Sequence, residues 1–339
     1  MSGRRVAALL AALAVLLAAC GPSATSAVPS LAPGSPAAAA ASPSATPALS
    51  SAPSATASAA SAPSPSAPSL SEATPSASRF AHIYLVVMEN QEYGSIVGSG
   101  DAPYLNGLIA RYGLVTSMHA VTHPSEPNYL ALASGGTQGV RDDGVYNLDV
   151  PSLFDQVEAA GRTWHVYEQG FPGGCSAVAS TGSVADGPGE PGEYARKHNP
   201  AISLTSISRN PSRCARITGL AGFDPAAADF ELIVPNQRND MHSAPVRTGD
   251  DFLRAFLPSI LGSAAFSSGS LLIVTWDEGS SNDGGGGHIA TVVATPGMAP
   301  GTRYDVAATH YSVLRAIEDA WGMPALGGAA DASAIPVRP

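Results

Sequence analysis

The chain has 339 residues, in which 27 aspartate and glutamate residues outnumber 17 lysine and arginine residues, and its formal net charge is −10. This balance excludes a nucleic-acid platform, because such a protein needs a basic face to meet the phosphate backbone. A surplus of carboxylates suits instead a site where several of them hold a cation. We therefore expect no nucleic-acid partner.

The first twenty residues form a predicted signal peptide. Arg4 and Arg5 precede an alanine-, leucine- and valine-rich run at 6–19, which is shorter than the about 20 apolar residues of a membrane span. The run ends in LAACG, at residues 17–21, which resembles a bacterial lipobox. In that motif the cysteine, here Cys20, is lipidated and becomes the mature N-terminus. A plain secretory signal cleaved near the same point is the alternative.

Residues 21–78 consist almost entirely of alanine, serine and proline, with Glu72 as their only charged residue. Such a segment has no large apolar side chains whose burial could offset the entropy of ordering it. It predicts a disordered linker that spaces residues 79–339 from the membrane. The protein is expected to be exported and lipid-anchored on the outer face of the cytoplasmic membrane, or released, without an obligate protein partner.

Apolar segments alternate between strand and helix patterns from residue 81 onward. Strands are predicted at 81–88, 163–167, 230–235, 270–276 and 289–295, and helices at 103–112, 127–134, 249–261 and 310–321. This alternation predicts an α/β fold with a mostly parallel sheet covered on both faces. Ligands of such sheets bind beyond the carboxyl ends of the strands, and the polar clusters of this chain follow strands.

The first cluster is Glu89 and Asn90, directly after the first strand. Their carboxylate and amide oxygens are good ligands for a hard cation, and an ordinary turn is the alternative. The second cluster places Ser125 before a helix, where free backbone N–H groups favour a bound phosphate. Asn128 can donate a hydrogen bond to a phosphoryl oxygen there. A serine that only caps the helix is the alternative, but it does not explain His123 beside it.

Two further clusters follow later strands. Asp240 and His242 lie two residues apart in one loop and can reach one centre, unless the loop is merely polar. Asp277 and Glu278 follow the most apolar strand, where a cation would relieve their repulsion. The glycines at 284–287 are either a mobile lip over the site or part of a long surface loop.

The remaining cysteines and histidines are assigned more simply. Cys175 and Cys214 are an even pair in an exported protein, so a disulfide is expected. On the chain-entropy model it would stabilise the fold by about 4 kcal/mol.

His198 lies in a loop-like region and can face the site. His310 opens the last helix, where it either caps the helix or contacts the site. Other histidines, at positions 82, 119 and 165, are expected in the core or on the surface.

Together the clusters resemble the bacterial phosphoesterase family of phosphatidylcholine-type phospholipases C and secreted acid phosphatases, within the alkaline-phosphatase-like superfamily. The motifs are MEN (Met88–Asn90), HPSEPNY (His123–Tyr129), KHNP (Lys197–Pro200), PNQRNDMH (Pro235–His242), TWDEG (Thr275–Gly279) and HYSVLRAIED (His310–Asp319). They cover nearly all of 81–322. The resemblance implies an alkaline-phosphatase-like three-layer sandwich. The chain looks similar to the small actinobacterial acid phosphatases, some of which act on phosphoinositides.

The resemblance also implies roles for the clustered residues. A divalent metal would be held by Glu89, Asn90, Ser125, Asp277 and Glu278. The phosphate site would be lined by His123, His198, Asp240 and His242. Calcium, magnesium or manganese is expected from the oxygen-rich set, with zinc or iron as alternatives. The Ser125 hydroxyl would attack phosphorus, and a protonated His242 or His198 would donate to the leaving group, which favours acidic pH.

Three functions remain open at this point. An acid phosphatase acting on phosphomonoesters is the main hypothesis, with a phosphate ester or phospholipid as substrate. A phospholipase C-type phosphodiesterase would use the same nucleophile and metal. A surface lipoprotein that binds a ligand without turnover would need the same signal and linker, but not a nucleophile, carboxylates and histidines at successive strand ends.

Overall fold

The computed structural model describes residues 80–175 and 194–338. The predicted signal peptide, its lipidation site Cys20 and the predicted linker at 21–78 lie outside the described residues. Within the described ranges, every helix is too short or too polar to cross a bilayer.

One eight-stranded sheet forms the centre of the described fold. Its strands are β1 Ile83–Met88, β2 Gly113–His119, β3 Trp164–Glu168, β4 Ile217–Thr218, β5 Phe230–Val234, β6 Leu271–Trp276, β7 His288–Ala294 and β8 Thr302–Thr309. Their order across the sheet is β4-β3-β5-β1-β6-β7-β2-β8. Neighbouring strands are parallel, except that β7 runs antiparallel to both β6 and β2. The predicted mostly parallel sheet is confirmed.

The connections between the strands are helical. The helices are α1 Tyr93–Ile96, α2 Pro103–Arg111, α3 Ser125–Ser134, α4 Leu153–Ala159, α5 Pro200–Ser203, α6 Thr205–Ser208, α7 Pro211–Cys214, α8 Val246–Phe256, α9 Pro258–Leu261, α10 Ala264–Ser267 and α11 His310–Trp321, with 3₁₀ turns at Arg196–His198 and Gly327–Ala330. The helix predicted at 249–261 is divided, because Pro258 lacks the N–H that would continue α8.

Helices cover both faces of the sheet. Phe154 of α4 packs against Trp164 of β3, with ring centroids 4.8 Å apart. Tyr167 of the same strand contacts Phe223 at 4.9 Å, and Phe223 contacts Phe256 of α8 at 4.8 Å. Residues 164 and 167 are an odd number of positions apart in one strand, so their side chains point to opposite faces. The fold is therefore the predicted three-layer α/β sandwich.

The central strands bring the polar clusters to one edge of the sheet. All side chains of β1, β5 and β6 are buried, as their mostly apolar sequences predict. β1 lies between β5 and β6, and Met88 is paired with Trp276 at the carboxyl ends of β1 and β6. The residues after these two strands, Glu89 and Asp277, are therefore neighbours.

The predicted disulfide between Cys175 and Cys214 is present. The two Cα atoms are 5.9 Å apart, and the residues are separated by 39 positions. The bond links the segment after β3 to the last residue of α7. It therefore ties the segment that follows β3 to the helix that precedes β4.

Candidate active site

Three buried carboxylates meet at the carboxyl ends of β1 and β6. Glu89 and Asp277 have no exposed surface, and Glu278 is 6% exposed. The backbone N–H of Asn90 donates to Asp277 Oδ1 at 3.2 Å. Burial and the charges of Asp277 and Asp240 raise the pKa of Glu89 well above its ordinary value. Burial and Glu278 raise the pKa of Asp277 to about 7. The cluster therefore resists carrying its full negative charge unless a cation is present.

Ser125 lies among these carboxylates. It is the first residue of α3, which starts two residues earlier than the sequence pattern predicts. Pro127 is compatible with this earlier start, because N–H groups in the first helical turn have no partner within the helix and the one that proline lacks is not needed. Its hydroxyl donates to Glu89 Oε2 at 3.3 Å and lies 3.5 Å from Glu278 Oε1. The side chain is buried, so its polar neighbours determine where the oxygen points.

Asn128 shapes the loop that leads into α3. Its Oδ1 accepts from the N–H groups of Val121 and Thr122 at 3.0 and 3.1 Å, and its Nδ2 donates to Thr122 O at 2.8 Å. Nδ2 also lies 3.5 Å from Glu278 Oε2. The side-chain amide is thus committed to fixing the loop beside Ser125. Its predicted bond to a phosphoryl oxygen stays a prediction.

His123 faces the same carboxylates from the solvent side. Its Nδ1 lies 2.8 Å from Glu278 Oε2, and its Nε2 lies 2.7 Å from the carbonyl oxygen of Ser281. Burial lowers the pKa of this imidazole, but the carbonyl of Ser281 and the carboxylate of Glu278 outweigh that effect and raise it. His123, which was predicted to line the phosphate site, therefore contacts the predicted metal ligand Glu278.

His198 bridges two of the buried carboxylates. Its Nε2 lies 3.2 Å from Glu89 Oε2, and its Nδ1 lies 3.6 Å from Asp240 Oδ2. One ligand atom from each of these three residues lies within 4.8 Å of the others, which makes them a possible metal site. Burial, with the charges of Lys197 and His242, lowers the pKa of His198 well below its ordinary value. This environment disfavours the protonated ring, and the predicted role of His198 as proton donor stays a prediction.

His242 lies beside His198, with ring centroids 5.8 Å apart. Its backbone N–H donates to Asp240 Oδ1 at 2.7 Å. Met241, which lies between Asp240 and His242 in the sequence, has a φ of 85°, a strained backbone conformation for a residue with a side chain of this size. The buried Met241 and the bond from the Glu89 N–H to the Asp240 carbonyl, at 2.9 Å, hold this turn against the end of β1.

The oxygen atoms of the site fit a hard divalent cation. Asn90 Oδ1 and Asp277 Oδ2 are buried and have no hydrogen-bond partner among the described residues. Buried polar oxygens normally have partners, and carboxylate and amide oxygens are preferred ligands of calcium, magnesium and manganese. The arrangement of Asn90, Asp277 and the neighbouring Glu89 and Glu278 therefore suits the predicted ion.

His310 contacts the site, one of the two alternatives that its position allowed. Its Nε2 bonds to the backbone carbonyl of Asp277, while its Nδ1 is buried without a hydrogen-bond partner among the described residues. Burial lowers its pKa to about 4, so the ring is neutral. It fixes the turn that carries the carboxylates of Asp277 and Glu278.

The glycines at 284–287 pack closely against the loop before Ser125. A Cβ atom on Gly285 would lie 2.4 Å from the carbonyl oxygen of Val121, and one on Gly286 would lie 2.3 Å from that of Thr122. The Gly286 N–H also donates to the carbonyl of Ala120 at 3.1 Å. The segment therefore braces the loop before Ser125 through its backbone, a role that neither alternative from the sequence included.

Lys197 and Asp143 are site neighbours that sequence reasoning did not select. Lys197 Nζ lies 2.9 Å from Asp143 Oδ2, and the N–H of Glu126 donates to Asp143 Oδ1 at 3.1 Å. Asp143 lies in a polar loop 17 residues from Glu126 and 54 residues from Lys197 along the chain. No local sequence pattern therefore reveals these contacts. Lys197 lies in the KHNP motif, from which the sequence interpretation selected only His198 as a site residue.

A three-layer α/β fold, with a serine at a helix N-terminus among buried carboxylates, is typical of hydrolases that act on phosphate esters. The Phosphoesterase family matches residues 99–324. The chain belongs to this family and is a hydrolase of phosphate esters, which confirms the predicted resemblance.

Two relatives and one solved structure illustrate this similarity. The phosphatidylinositol-3-phosphatase of Mycobacterium tuberculosis is 34% identical over 260 residues, covering 76% of this chain and 82% of that protein. The acid phosphatase of Aspergillus fumigatus is 29% identical over 263 residues, covering 73% of this chain but only 56% of its own length. The lipoteichoic acid synthase LtaP of Listeria monocytogenes matches with a TM-score of 0.49, 10% identity and 74% coverage of each chain, a likeness too remote to bear on function.

Proposed function

We propose that this protein is an exported, metal-dependent acid phosphatase that hydrolyses phosphomonoesters through a phosphoseryl intermediate. The observation that carries the proposal is the Ser125 hydroxyl, which lies 3.3 Å from Glu89 Oε2 at the first turn of α3. A helix N-terminus favours the phosphate group, and the buried carboxylates around Ser125 are destabilising unless a cation joins them. A nucleophile, a cation and a phosphate together account for this otherwise unfavourable cluster.

A divalent ion would be held by Glu89, Asn90, Ser125, Asp277 and Glu278. When bound, it lowers the pKa of a ligating hydroxyl and neutralises charge on the phosphate. Calcium, magnesium or manganese suits these oxygen ligands, and zinc or iron, with His198 as a ligand, is the alternative that metal analysis would identify.

The protein side chains have separate tasks in this mechanism. Glu89 orients the Ser125 oxygen for attack on phosphorus and accepts the proton of its hydroxyl, and the bond from phosphorus to the leaving oxygen breaks as the bond to Ser125 forms. A protonated His242 or His198 donates the proton to the leaving group, and the lowered pKa of the buried His198 favours His242. Water then cleaves the phosphoserine and releases inorganic phosphate.

We propose phosphoinositides as the substrate class. The supporting observation is the 34% identity to a phosphatidylinositol-3-phosphatase over most of both chains. A lipid on Cys20 and a linker at 21–78 would hold the catalytic domain close to lipid headgroups. The acid phosphatases among the relatives favour a monoesterase over a phospholipase C.

The test compares the wild-type protein with Ser125→Ala on soluble phosphomonoesters, phosphatidylinositol phosphates and phosphatidylcholine, with and without a chelator. We expect chelator-sensitive phosphate release and a loss of about 1,000-fold or more in the variant. The metal should also raise the free energy of unfolding, by about 2.7 kcal/mol when its free concentration is 100 times its Kd. Phosphocholine release alone would assign a phospholipase C. Metal-dependent stabilisation without hydrolysis of any ester would instead assign a binding lipoprotein.

A further inference from the structure

The whole chain contains one lysine, Lys197, among 17 lysine and arginine residues. Arginine supplies every other side-chain cation of this type, including the buried Arg196 next to it. The two side chains differ physically, because lysine carries a compact ammonium with three rotatable donors whereas arginine carries a wide planar fork. A sequence that otherwise uses only arginine therefore points to a local need for an ammonium at this position.

Lys197 lies at the candidate active site. It is 8% exposed and precedes His198, whose Nε2 is 3.2 Å from Glu89 Oε2. Its ammonium is bonded to Asp143 Oδ2 at 2.9 Å, and Asp143 Oδ1 accepts from the N–H of Glu126 at 3.1 Å. A single carboxylate group thus separates the ammonium from the residue that follows the nucleophile.

The electrostatic surroundings also place this cation within reach of the site carboxylates. Burial raises the pKa of Glu89 and of Glu278, and the Lys197 ammonium is among the groups that oppose both rises. A phosphate monoester brings further negative charge into this acidic cluster, so binding it requires compensating positive charge.

Arg196 cannot supply that charge, because its guanidinium is used elsewhere. It donates to the carbonyl of Tyr146 at 2.8 Å and to Ser203 Oγ at 3.1 Å, and it lies 3.7 Å from Glu126 Oε1. Within the described ranges, Asp143 is the only acceptor at hydrogen-bond distance from the Lys197 ammonium. Two of the three N–H donors of Lys197 are therefore left for a ligand.

We propose that the Lys197 ammonium binds a nonbridging phosphoryl oxygen of the substrate, and that Asp143 holds it in position beside Ser125. This inference rests on the proposed phosphatase function and adds a catalytic residue to it. The ammonium stabilises the negative charge that the phosphoryl oxygens carry while the bond to the leaving group breaks. Asp143 is a positioning residue, since it acts through Lys197.

The kinetic test compares Lys197→Met and Lys197→Arg with the wild type. We expect Lys197→Met to lower kcat/KM by about 100-fold and to raise the inhibition constant of inorganic phosphate about tenfold. Lys197→Arg should recover only part of the loss, because the guanidinium is wider than the ammonium. Arg254→Met removes one cation from an exposed position and should change both constants less than about twofold.

The double variant Lys197→Met/Asp143→Asn separates phosphate binding from a structural ion pair. If Lys197 served only to neutralise Asp143, whose side chain is 26% exposed, removing both charges would restore activity, and the proposal would be wrong. If Lys197 binds phosphate, the double variant stays as inactive as Lys197→Met. The asparagine also removes the unpaired carboxylate, so this variant keeps the test available if Lys197→Met is unstable.

The single lysine allows a second test on the wild-type protein alone. Acetylation by an amine-selective reagent, followed by mass spectrometry of the peptide that contains Lys197, reports on this side chain. We expect inorganic phosphate with the activating metal to slow acetylation about fivefold or more, following the fraction of sites occupied, while chloride does not. Equal rates would overturn the proposal. A wild-type protein that hydrolyses no phosphomonoester would refute the proposed function itself, whereas an active wild type with unaffected Lys197 variants would refute this inference alone.

Discussion

Replacing Glu231 with glutamine should remove a large part of the pH dependence of stability. Glu231 is fully buried in β5, where the N–H of Ala228 donates to its Oε1 at 3.3 Å and its Oε2 has no partner among the described residues. Burial and the charge of Asp224 raise its pKa from the ordinary 4.5 to about 8. At about 1.4 kcal/mol for each pH unit between the two values, the protonated form is favoured by no more than about 5 kcal/mol.

The sign follows from where the proton is held. The folded state keeps the proton of Glu231 up to about pH 8, whereas the unfolded chain releases it above about pH 4.5. The stability of the fold is therefore fully present below the unfolded pKa and is lost as pH rises toward the folded pKa. Glutamine has nearly the same shape as protonated glutamate but cannot ionise, so the variant should not show this loss.

The measurement is the free energy of unfolding in urea at pH 5 and at pH 8. Between these values the wild type should lose about 3–4 kcal/mol more than Glu231→Gln, while the two proteins should be similarly stable at pH 5. Burial raises the pKa of Glu318 to about 7, so this residue adds the same pH dependence of the unfolding free energy to the wild type and to Glu231→Gln. Asp251→Asn, at a half-exposed carboxylate, is the matched control. The same pH slope in the wild type and in Glu231→Gln would refute the reasoning.

Two further predictions concern the segments beside the site. Gly286→Ala would place a Cβ atom 2.3 Å from the Thr122 carbonyl, so it should cost about 1–3 kcal/mol of stability and about 10–100-fold in kcat/KM. Gly100→Ala, where the new methyl meets nothing within 4 Å, should change neither, and equal behaviour of the two variants in thermal unfolding and phosphate release would exclude the bracing role. Cys175→Ser together with Cys214→Ser should lower stability by about 2–4 kcal/mol in denaturant unfolding, and reducing agent should then have no further effect.

The core strands of this fold could be predicted from sequence because both of their faces are buried. β1, β5 and β6 are mostly apolar, with Glu231 as their single charged residue, and their predicted bounds differ from the observed ones by at most two residues. β8 could not be predicted, since it lies at the edge of the sheet and alternates between exposed and half-buried positions. β2 carries the polar residues Thr116, Ser117 and His119 in its second half, so it lacks the mostly apolar sequence that identified β1, β5 and β6.

The convergence of the site residues was also predictable, because parallel strands end at one edge of the sheet. Glu89 and Asp277 follow two neighbouring strands, and this alone places them together. The partners of individual polar atoms were not predictable, since they depend on loops that meet only in three dimensions. Asn128 illustrates this point, because its amide bonds the loop before Ser125, and so does Lys197, whose partner Asp143 lies 54 residues away along the chain.

Burial of carboxylates links stability and catalysis in this protein, but through separate groups. Glu231 makes the fold more stable at acidic pH, although it lies near the amino end of β5, away from the carboxyl ends of the strands that carry the site. In the proposed mechanism, activity depends on the protonation of the groups around Ser125. The two pH optima therefore have different origins, and Glu231→Gln should flatten the pH dependence of unfolding while leaving the pH–rate profile unchanged. An acidic optimum of activity that moved with this variant would show that the profile reports unfolding of the protein rather than chemistry at the serine.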